Sequence, residues 1–226
     1  MVRFPVLEIV GRNIDDIQND LAAMATPDIV VFVSSNAVTH GLAACGATNA
    51  QLAAVGPATR DAIEATGAKV SIYPAGAFDS EHLLQHAGLQ DLGGKSVVIV
   101  RGQQGRELLA DTLSARGADV HYLCAYRREP YAPTATEIES LEAELRAGAI
   151  HFATIMSGET IQQLVRILPA QCLPLLRQSA LVAPSARVLQ TATELLPGIS
   201  TVLAAGPQAP AIVDALIRQW QNGQYS

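Results

Sequence analysis

Five short stretches of this sequence have the residue types of an anion site. They are Ser34, Ser35 and Asn36; Gly56, Pro57, Ala58 and Thr59; Arg101, Gly102, Gly105 and Arg106; Ser157 and Gly158; and Pro184, Ser185 and Arg187. Each follows a short apolar run and opens a helical pattern. Hydroxyls and free N–H groups at helix starts bind anions, and guanidinium groups fork carboxylates. In doubly wound sheets, ligands bind at the carboxyl ends of strands, which is where all five stretches fall. Taken singly, each reads more readily as a cap or a turn than as a site. Taken together, they are expected to face one cleft between two domains. Tyr126, beside Arg127 and Arg128, lies where two such domains would meet. It either packs a linker or belongs to the site.

Other candidates are weaker. Gly102-Gln103-Gln104-Gly105-Arg106 resembles a glycine-rich phosphate loop but fits neither the Walker nor the dinucleotide pattern. His82 and His86 are spaced i, i+4 on one expected helix, without a third ligand or an intervening catalytic Glu, so a solvated helix face is the better reading and no metal site is assigned. His40, His121 and His151 are scattered and carry no assignable role. The absence of a Gly-x-Ser-x-Gly element leaves a serine hydrolase unsupported.

The elements that must position these residues alternate. Apolar runs at Ile29–Val33, Leu52–Val55, Val70–Tyr73, Val97–Val100 and Val120–Leu123 are separated by helical patterns that include Pro57–Thr66, Ser80–Ala87 and Gly105–Arg116. This βαβα order predicts a parallel sheet with helices on both faces. Asp79-Ser80-Glu81 supplies N-cap chemistry, and Gly67 and Gly117 are C-cap glycines. The second half repeats the first. Val33-Ser34-Ser35-Asn36-Ala37-Val38 matches Met156-Ser157-Gly158-Glu159-Thr160-Ile161, and Ala54-Val55-Gly56-Pro57-Ala58-Thr59 matches Val182-Ala183-Pro184-Ser185-Ala186-Arg187. A repeat of domain length predicts two similar α/β domains, at 12–119 and 132–226. Phe4–Val10 and Val120–Arg128 are expected to be connecting strands, since Pro130 and Pro133 oppose a helical continuation. The second domain shows three strand candidates, Phe152–Met156, Ala180–Ala183 and Ser200–Leu203. A further strand is expected from residues preceding Met1.

Composition narrows the function. The chain has 226 residues, 49% hydrophobic and 16% charged, enough for one large domain or two small ones. Aromatics make up 4%, so the core must be built from Ala, Val, Leu and Ile. A net charge of −6 argues against a nucleic-acid partner. The lysines are Lys69 and Lys95 alone; every other cation is Arg, which a high-GC genome explains. Cys45, Cys124 and Cys172 are unclustered and odd in number, which fits a reducing compartment. With no apolar run of membrane length and no signal-peptide pattern at the start, the chain reads as cytoplasmic, with no membrane partner.

Four segments together resemble the uroporphyrinogen-III synthase family. Val30-Val31-Phe32-Val33-Ser34-Ser35-Asn36-Ala37-Val38 is similar to its "viFtSxnaV" element, and Ala54-Val55-Gly56-Pro57-Ala58-Thr59 to its "aVGxaTa" turn. Val98 through Leu109 resembles "lirgxxgrxxL", and Gly117-Ala118-Asp119-Val120 running to Tyr126-Arg127-Arg128 resembles "GaxVxxxxxYrr". The resemblance runs from about Phe4 onward and is clearer in the middle of the chain than in its C-terminal part. It implies an α/β fold of two flavodoxin-like, doubly wound parallel-sheet domains joined by a two-stranded linker. It also implies conversion of hydroxymethylbilane, a polycarboxylate, to uroporphyrinogen III without a cofactor. The five stretches would then bind substrate and Tyr126 would assist departure of hydroxide. Family members usually begin with a strand, a "TRP"-like turn and a helix, which this sequence lacks ahead of Phe4. A monomer is expected, with association through an incomplete sheet edge left open. Two other functions are compatible with the same residues: a catalytically inactive tetrapyrrole- or anion-binding module, and a hinge-bending small-ligand sensor.

Overall fold

The computed structural model describes residues 2–46, 49–105 and 107–222. Arg106 lies outside the described residues. The chain divides into two compact units, Ile9–Glu129 and Met1–Glu8 with Pro130–Ser226.

The first unit takes in β1 (Leu7–Gly11) from Ile9 onward, α1 (Ile14–Ala22), β2 (Ile29–Phe32), α2 (Ser35–Cys45), β3 (Gln51–Ala54), α3 (Pro57–Glu64), β4 (Val70–Ile72), α4 (Ser80–Leu83), a 3-10 turn at Ala87–Leu89, β5 (Ser96–Gly102), α5 (Leu108–Ala115) and β6 (Asp119–Pro130) as far as Glu129. The six strands are ordered β1-β6-β5-β2-β3-β4. Pairings among β2, β3, β4, β5 and β6 are all parallel. All residues of β2 and β5 are buried, as unbroken apolar runs in the middle of a parallel sheet require. Alternation then divides them between two cores. Val30, Phe32, Val98 and Val100 face Ile17 of α1, Ala37 and Val38 of α2 and Ile63 of α3. Ile29, Val31, Val97 and Ile99 face Leu83 of α4 and Leu109 and Leu113 of α5. Burying one such side chain contributes about 1.5–3 kcal/mol.

Two elements differ from the sequence expectation. The helix expected over Ser80–Ala87 ends at Leu83, because the His86 ring accepts a hydrogen bond from the Gly88 N–H (3.1 Å) and starts a new turn. His82 and His86 therefore do not share one helix. Next, α5 begins at Leu108, not Gly105, since the Gly105 carbonyl and the Glu107 carboxylate are held by Arg101 as described below. Val120–Arg128, read from sequence as a connector, is also a sheet member. Asp119–Cys124 pair in register with Ser96–Arg101, after which the register shifts and Gly102 meets Tyr126.

The first helix of the second unit is α6 (Ala135–Arg146), opened by a capping box in which Thr134 and Glu137 satisfy each other's backbone N–H groups. It continues through β7 (Phe152–Thr154), α7 (Gly158–Ile167), α8 (Cys172–Leu176), β8 (Ala180–Ala183), α9 (Ala186–Leu195), β9 (Ser200–Leu203) and α10 (Ala209–Gln221). The three strands form a parallel sheet in the order β7-β8-β9. Leu181 and Ala183 face Leu141, Leu145, Ile161 and Val188, whereas Val182 faces Ile212 and Ala215 of α10.

The sequence repeat has a structural basis. Ser34 and Ser157 are the N-caps of α2 and α7, and their hydroxyls accept from the N–H groups of Ala37 and Thr160, each at 3.1 Å. The second pair of repeats is offset by one residue. Gly56 caps α3 and its positional counterpart is Ser185, the N-cap of α9. Pro184 is therefore not the equivalent of Gly56.

Candidate functional site

The parallel pairings put the carboxyl ends of β2, β3 and β5 along one edge of the six-stranded sheet. The chain leaves β2 toward β3 and β4, then returns to place β5 on the other side of β2. That reversal is the position at which such sheets bind ligands. Ser34 follows β2, and Arg101 and Gly102 close β5.

Tyr126 joins this edge through the register shift. Val100 pairs with Leu123 and Arg101 with Cys124, yet Gly102 pairs with Tyr126, so Ala125 is an extra residue. Strict alternation would place Tyr126 on the face opposite Ala125. The extra residue re-aims it, as bulges do, and Tyr126 packs with Val100, Leu123 and Ala125 in the core beneath α2. It is only 6% exposed. Its hydroxyl lies 3.2 Å from the Ser34 hydroxyl, and either oxygen can donate. Its ring lies over Gly102, where a Cβ would come within 2.8 Å of the ring. The His40 ring sits 6.0 Å away, centroid to centroid. The Gln103 N–H donates to the Tyr126 carbonyl (3.0 Å), tying the loop after β5 to β6.

Arg101 is buried and occupied. Its Nε donates to the Gly102 carbonyl (3.3 Å), Nη2 to the Gly105 carbonyl (3.3 Å) and Nη1 to a Glu107 carboxylate oxygen (3.2 Å). The guanidinium lies 4.2 Å from the centroid of the Tyr122 ring. The Tyr122 hydroxyl in turn donates to the other Glu107 oxygen. Bonds from Tyr122 and then Arg101 hold the Glu107 carboxyl below its usual range. Burial, reinforced by the Glu107 bond, pushes the Tyr122 phenol up to about 12. A buried cation needs such pairing. The sequence singled out Arg101 as a carboxylate ligand for substrate; these bonds hold it inside the loop.

The remaining sequence candidates divide by unit. Ser35 is exposed and Asn36 half-buried in the first turn of α2. Pro57 and Ala58 are exposed at the start of α3, whose capping residue Gly56 makes no side-chain bond. Thr59 is 4% exposed and shares the core-facing side of α3 with Ile63. Arg127 pairs with Glu129. In the other unit, the Ser157 hydroxyl also bonds the Thr160 hydroxyl (2.8 Å), and Gly158 begins α7 near Thr191. Ser185 and Arg187 are exposed at the start of α9. The structure thus brings Ser34, Gly102 and Tyr126 into contact, and separately joins Arg101 to Gly102 and Gly105. Sequence reasoning missed Glu107 and Tyr122. Their one legible trace is the i, i+6 spacing of opposite charges at Arg101 and Glu107, which has no meaning until the loop is folded. Among the described residues, no group of three His, Cys, Asp or Glu side chains could hold a metal ion. No described helix is long and apolar enough to cross a membrane.

Fold and site define a two-unit α/β protein whose small polar loops follow parallel strands, with a part-buried hydroxyl pair at the point where the strand order reverses. A family model described as uroporphyrinogen-III synthase HemD matches residues 1–214. The chain belongs to the uroporphyrinogen-III synthase family. It is 31% identical over 175 residues to the uroporphyrinogen-III synthase of Escherichia coli (strain K12), covering 74% of this chain and 69% of that protein. The Salmonella typhimurium protein of the same name is 33% identical over 175 residues, with the same coverage. The solved uroporphyrinogen-III synthetase of Helicobacter pylori 26695 superposes with a TM-score of 0.65 at 16% identity, over 95% of this chain and 91% of that one. At that identity the likeness is one of fold.

Proposed function

We propose that this protein is a uroporphyrinogen-III synthase of porphyrin and heme biosynthesis, a lyase acting in the cytoplasm. It closes hydroxymethylbilane into uroporphyrinogen III with inversion of ring D and loss of water, and needs no cofactor. The observation that carries this reading is family membership across residues 1–214. The Ser34–Tyr126 hydroxyl pair at the strand ends adds the chemistry.

In this reaction the hydroxyl of the ring A hydroxymethyl group leaves and, with the proton of the ring A N–H, is lost as water, so that its carbon remains as the electrophilic methylene of an azafulvene. Ring D attacks through its substituted carbon, and the spiro intermediate rearranges to the inverted ring. Closure without inversion is the unassisted outcome. Holding the bilane in one folded geometry is therefore the main catalytic task, and positioning of this kind supplies large rate factors. The departing hydroxide needs a hydrogen-bond donor or a proton. Tyr126 is the proposed donor, with Ser34 holding its phenol. The proposed ligands for the acetate and propionate carboxylates are the strand-end groups: Ser35, Asn36, Gly56, Pro57, Ala58, Thr59, Gly102, Gly105 and Arg106, with Ser157, Gly158, Ser185 and Arg187 from the other unit. Backbone N–H groups at the starts of α2, α3, α7 and α9 suit that role.

The deciding experiment supplies freshly made hydroxymethylbilane to the purified protein and scores isomer III against isomer I after oxidation. Excess isomer III over the spontaneous product supports the assignment. Bilane binding without isomer III would instead indicate a tetrapyrrole-binding module.

A further inference from the structure

We infer that Glu107 and Tyr122 are positioning residues for this reaction, acting through Arg101 to fix the Gly102–Gly105 turn against Tyr126. The inference rests on the proposed function and deepens it.

Arg101 lies at the end of a fully buried strand in the middle of the sheet, and its side chain is 11% exposed. Arg101 shares a sheet face with Ile99, since alternate residues of a strand do. Ile99 pairs with Tyr122, so Arg101 and Tyr122 are diagonal neighbours, and the guanidinium stacks on the phenol ring. Glu107 then bridges the two, accepting from Arg101 through one oxygen and from Tyr122 through the other. With that pair set, the rest of the fork reaches back to the carbonyls of Gly102 and Gly105. The turn is closed on itself by one cation.

The other side of the same turn touches the proposed donor. Gly102 backs the Tyr126 ring, and the Gln103 N–H holds the Tyr126 carbonyl. Arg101 and Tyr126 thus grip the turn from opposite faces of the sheet. Neither Glu107 nor Tyr122 contacts Tyr126 in this arrangement. Their effect on it passes through the turn. Glu107 is exposed enough (57% of its side chain) that its removal leaves the core intact. Its loss takes from the buried Arg101 its carboxylate partner, so a structural role alone predicts a lower unfolding midpoint with kinetics unchanged well below it, whereas a positioning role predicts a kinetic defect at those same temperatures.

The test compares Glu107→Ala, Glu107→Gln and Tyr122→Phe with wild type in the isomer assay, alongside thermal unfolding and hydrogen exchange. Expected for Glu107→Ala is a fall in kcat of about 10–100-fold with KM changed much less, as small misplacements of a reacting group produce, together with a lower share of isomer III. The Gln103 amide, which donates to the Tyr126 carbonyl, should exchange faster, and the rate loss should persist at assay temperatures well below the variant's unfolding midpoint. Glu107→Gln, which keeps the acceptor oxygen toward one partner, should fall between. Tyr122→Phe, which keeps the ring under Arg101 and loses one bond, should resemble Glu107→Gln. Active wild type with unchanged kcat, isomer ratio and loop exchange in Glu107→Ala overturns the inference alone. A rate loss that disappears well below the variant's unfolding midpoint overturns it too, in favour of plain destabilisation. Wild type that makes no isomer III overturns the proposed function, and this inference with it.

Discussion

The Tyr126 hydroxyl stands 3.2 Å from that of Ser34, 92 residues earlier in the chain. Ser34 is meanwhile the N-cap of α2, accepting from the Ala37 N–H. One serine thus starts a helix and orients a phenol, and the two roles can be separated by experiment.

Ser34→Ala should cost about 1 kcal/mol of stability from the lost cap. Tyr126→Phe removes the phenol and should slow isomer III formation by at most about 10²–10⁴-fold, the range of general acid–base help. If the two hydroxyls act as a unit, the double variant will be little slower than Tyr126→Phe alone, since groups in direct contact are non-additive. Rate losses that simply multiply would show that Ser34 acts independently of the phenol, and an unchanged rate in Ser34→Ala that it serves the helix only. Steady-state rates and urea unfolding of the three variants give the answer.

Gly102→Ala should disturb the site without any polar group being touched. The added Cβ would lie 2.8 Å from one carbon of the Tyr126 ring and 2.9 Å from another. The ring is confined by Val100, Leu123 and Ala125 and has little room to retreat. Overpacking of this kind costs about 1–3 kcal/mol, and the phenol should be carried away from Ser34. The expected result is a lower unfolding midpoint and a loss of isomer III at least as large as that of Tyr126→Phe. Normal activity in Gly102→Ala would mean that the ring can shift freely.

Asp28 gives a pH-dependent prediction. Its carboxylate accepts from the Ser96 N–H (2.9 Å) and from the Lys95 ammonium (3.1 Å), and these bonds, the backbone one first, lower its pKa from the ordinary value. A carboxyl with a depressed folded-state pKa adds stability above its unfolded value, about 3.9, and loses it as pH falls through the folded value. Asp28→Asn should therefore be less stable than wild type at pH 7, with the gap closing as pH drops below about 4. Denaturant midpoints at pH 7 and pH 3 test this. A gap that is equal at both would assign the effect to geometry rather than charge.

Much of the framework was legible in the sequence. Apolar runs marked β2, β3, β5 and β8 because buried parallel strands are apolar on both faces. Gly67 and Gly117 marked helix ends, and they take φ of 86° and 89° in the structure. Asp79 marked the start of α4, and its carboxylate indeed accepts from the His82 N–H (2.8 Å). The small polar turns after the strands marked the capping positions, and the four-segment resemblance marked the family. The extent of α4 was not legible, because a His86 side chain competes with the helix for a backbone donor.

The sequence by itself determined which residues follow each strand, because periodicity and capping are local properties carried by neighbours in the chain. It did not determine which of those residues share a site. Period-two alternation puts Tyr126 on the face opposite Ala125. The structure puts both in one core, because one extra residue enters β6 where Arg101 gives way to Gly102. Likewise, a lone arginine after a strand reads as free to meet a ligand. Only the pairing of Ile99 with Tyr122 across β5 and β6 delivers the ring and the carboxylate that occupy it. Register across a sheet is set by the packing of distant segments, and no local pattern in the chain encodes it.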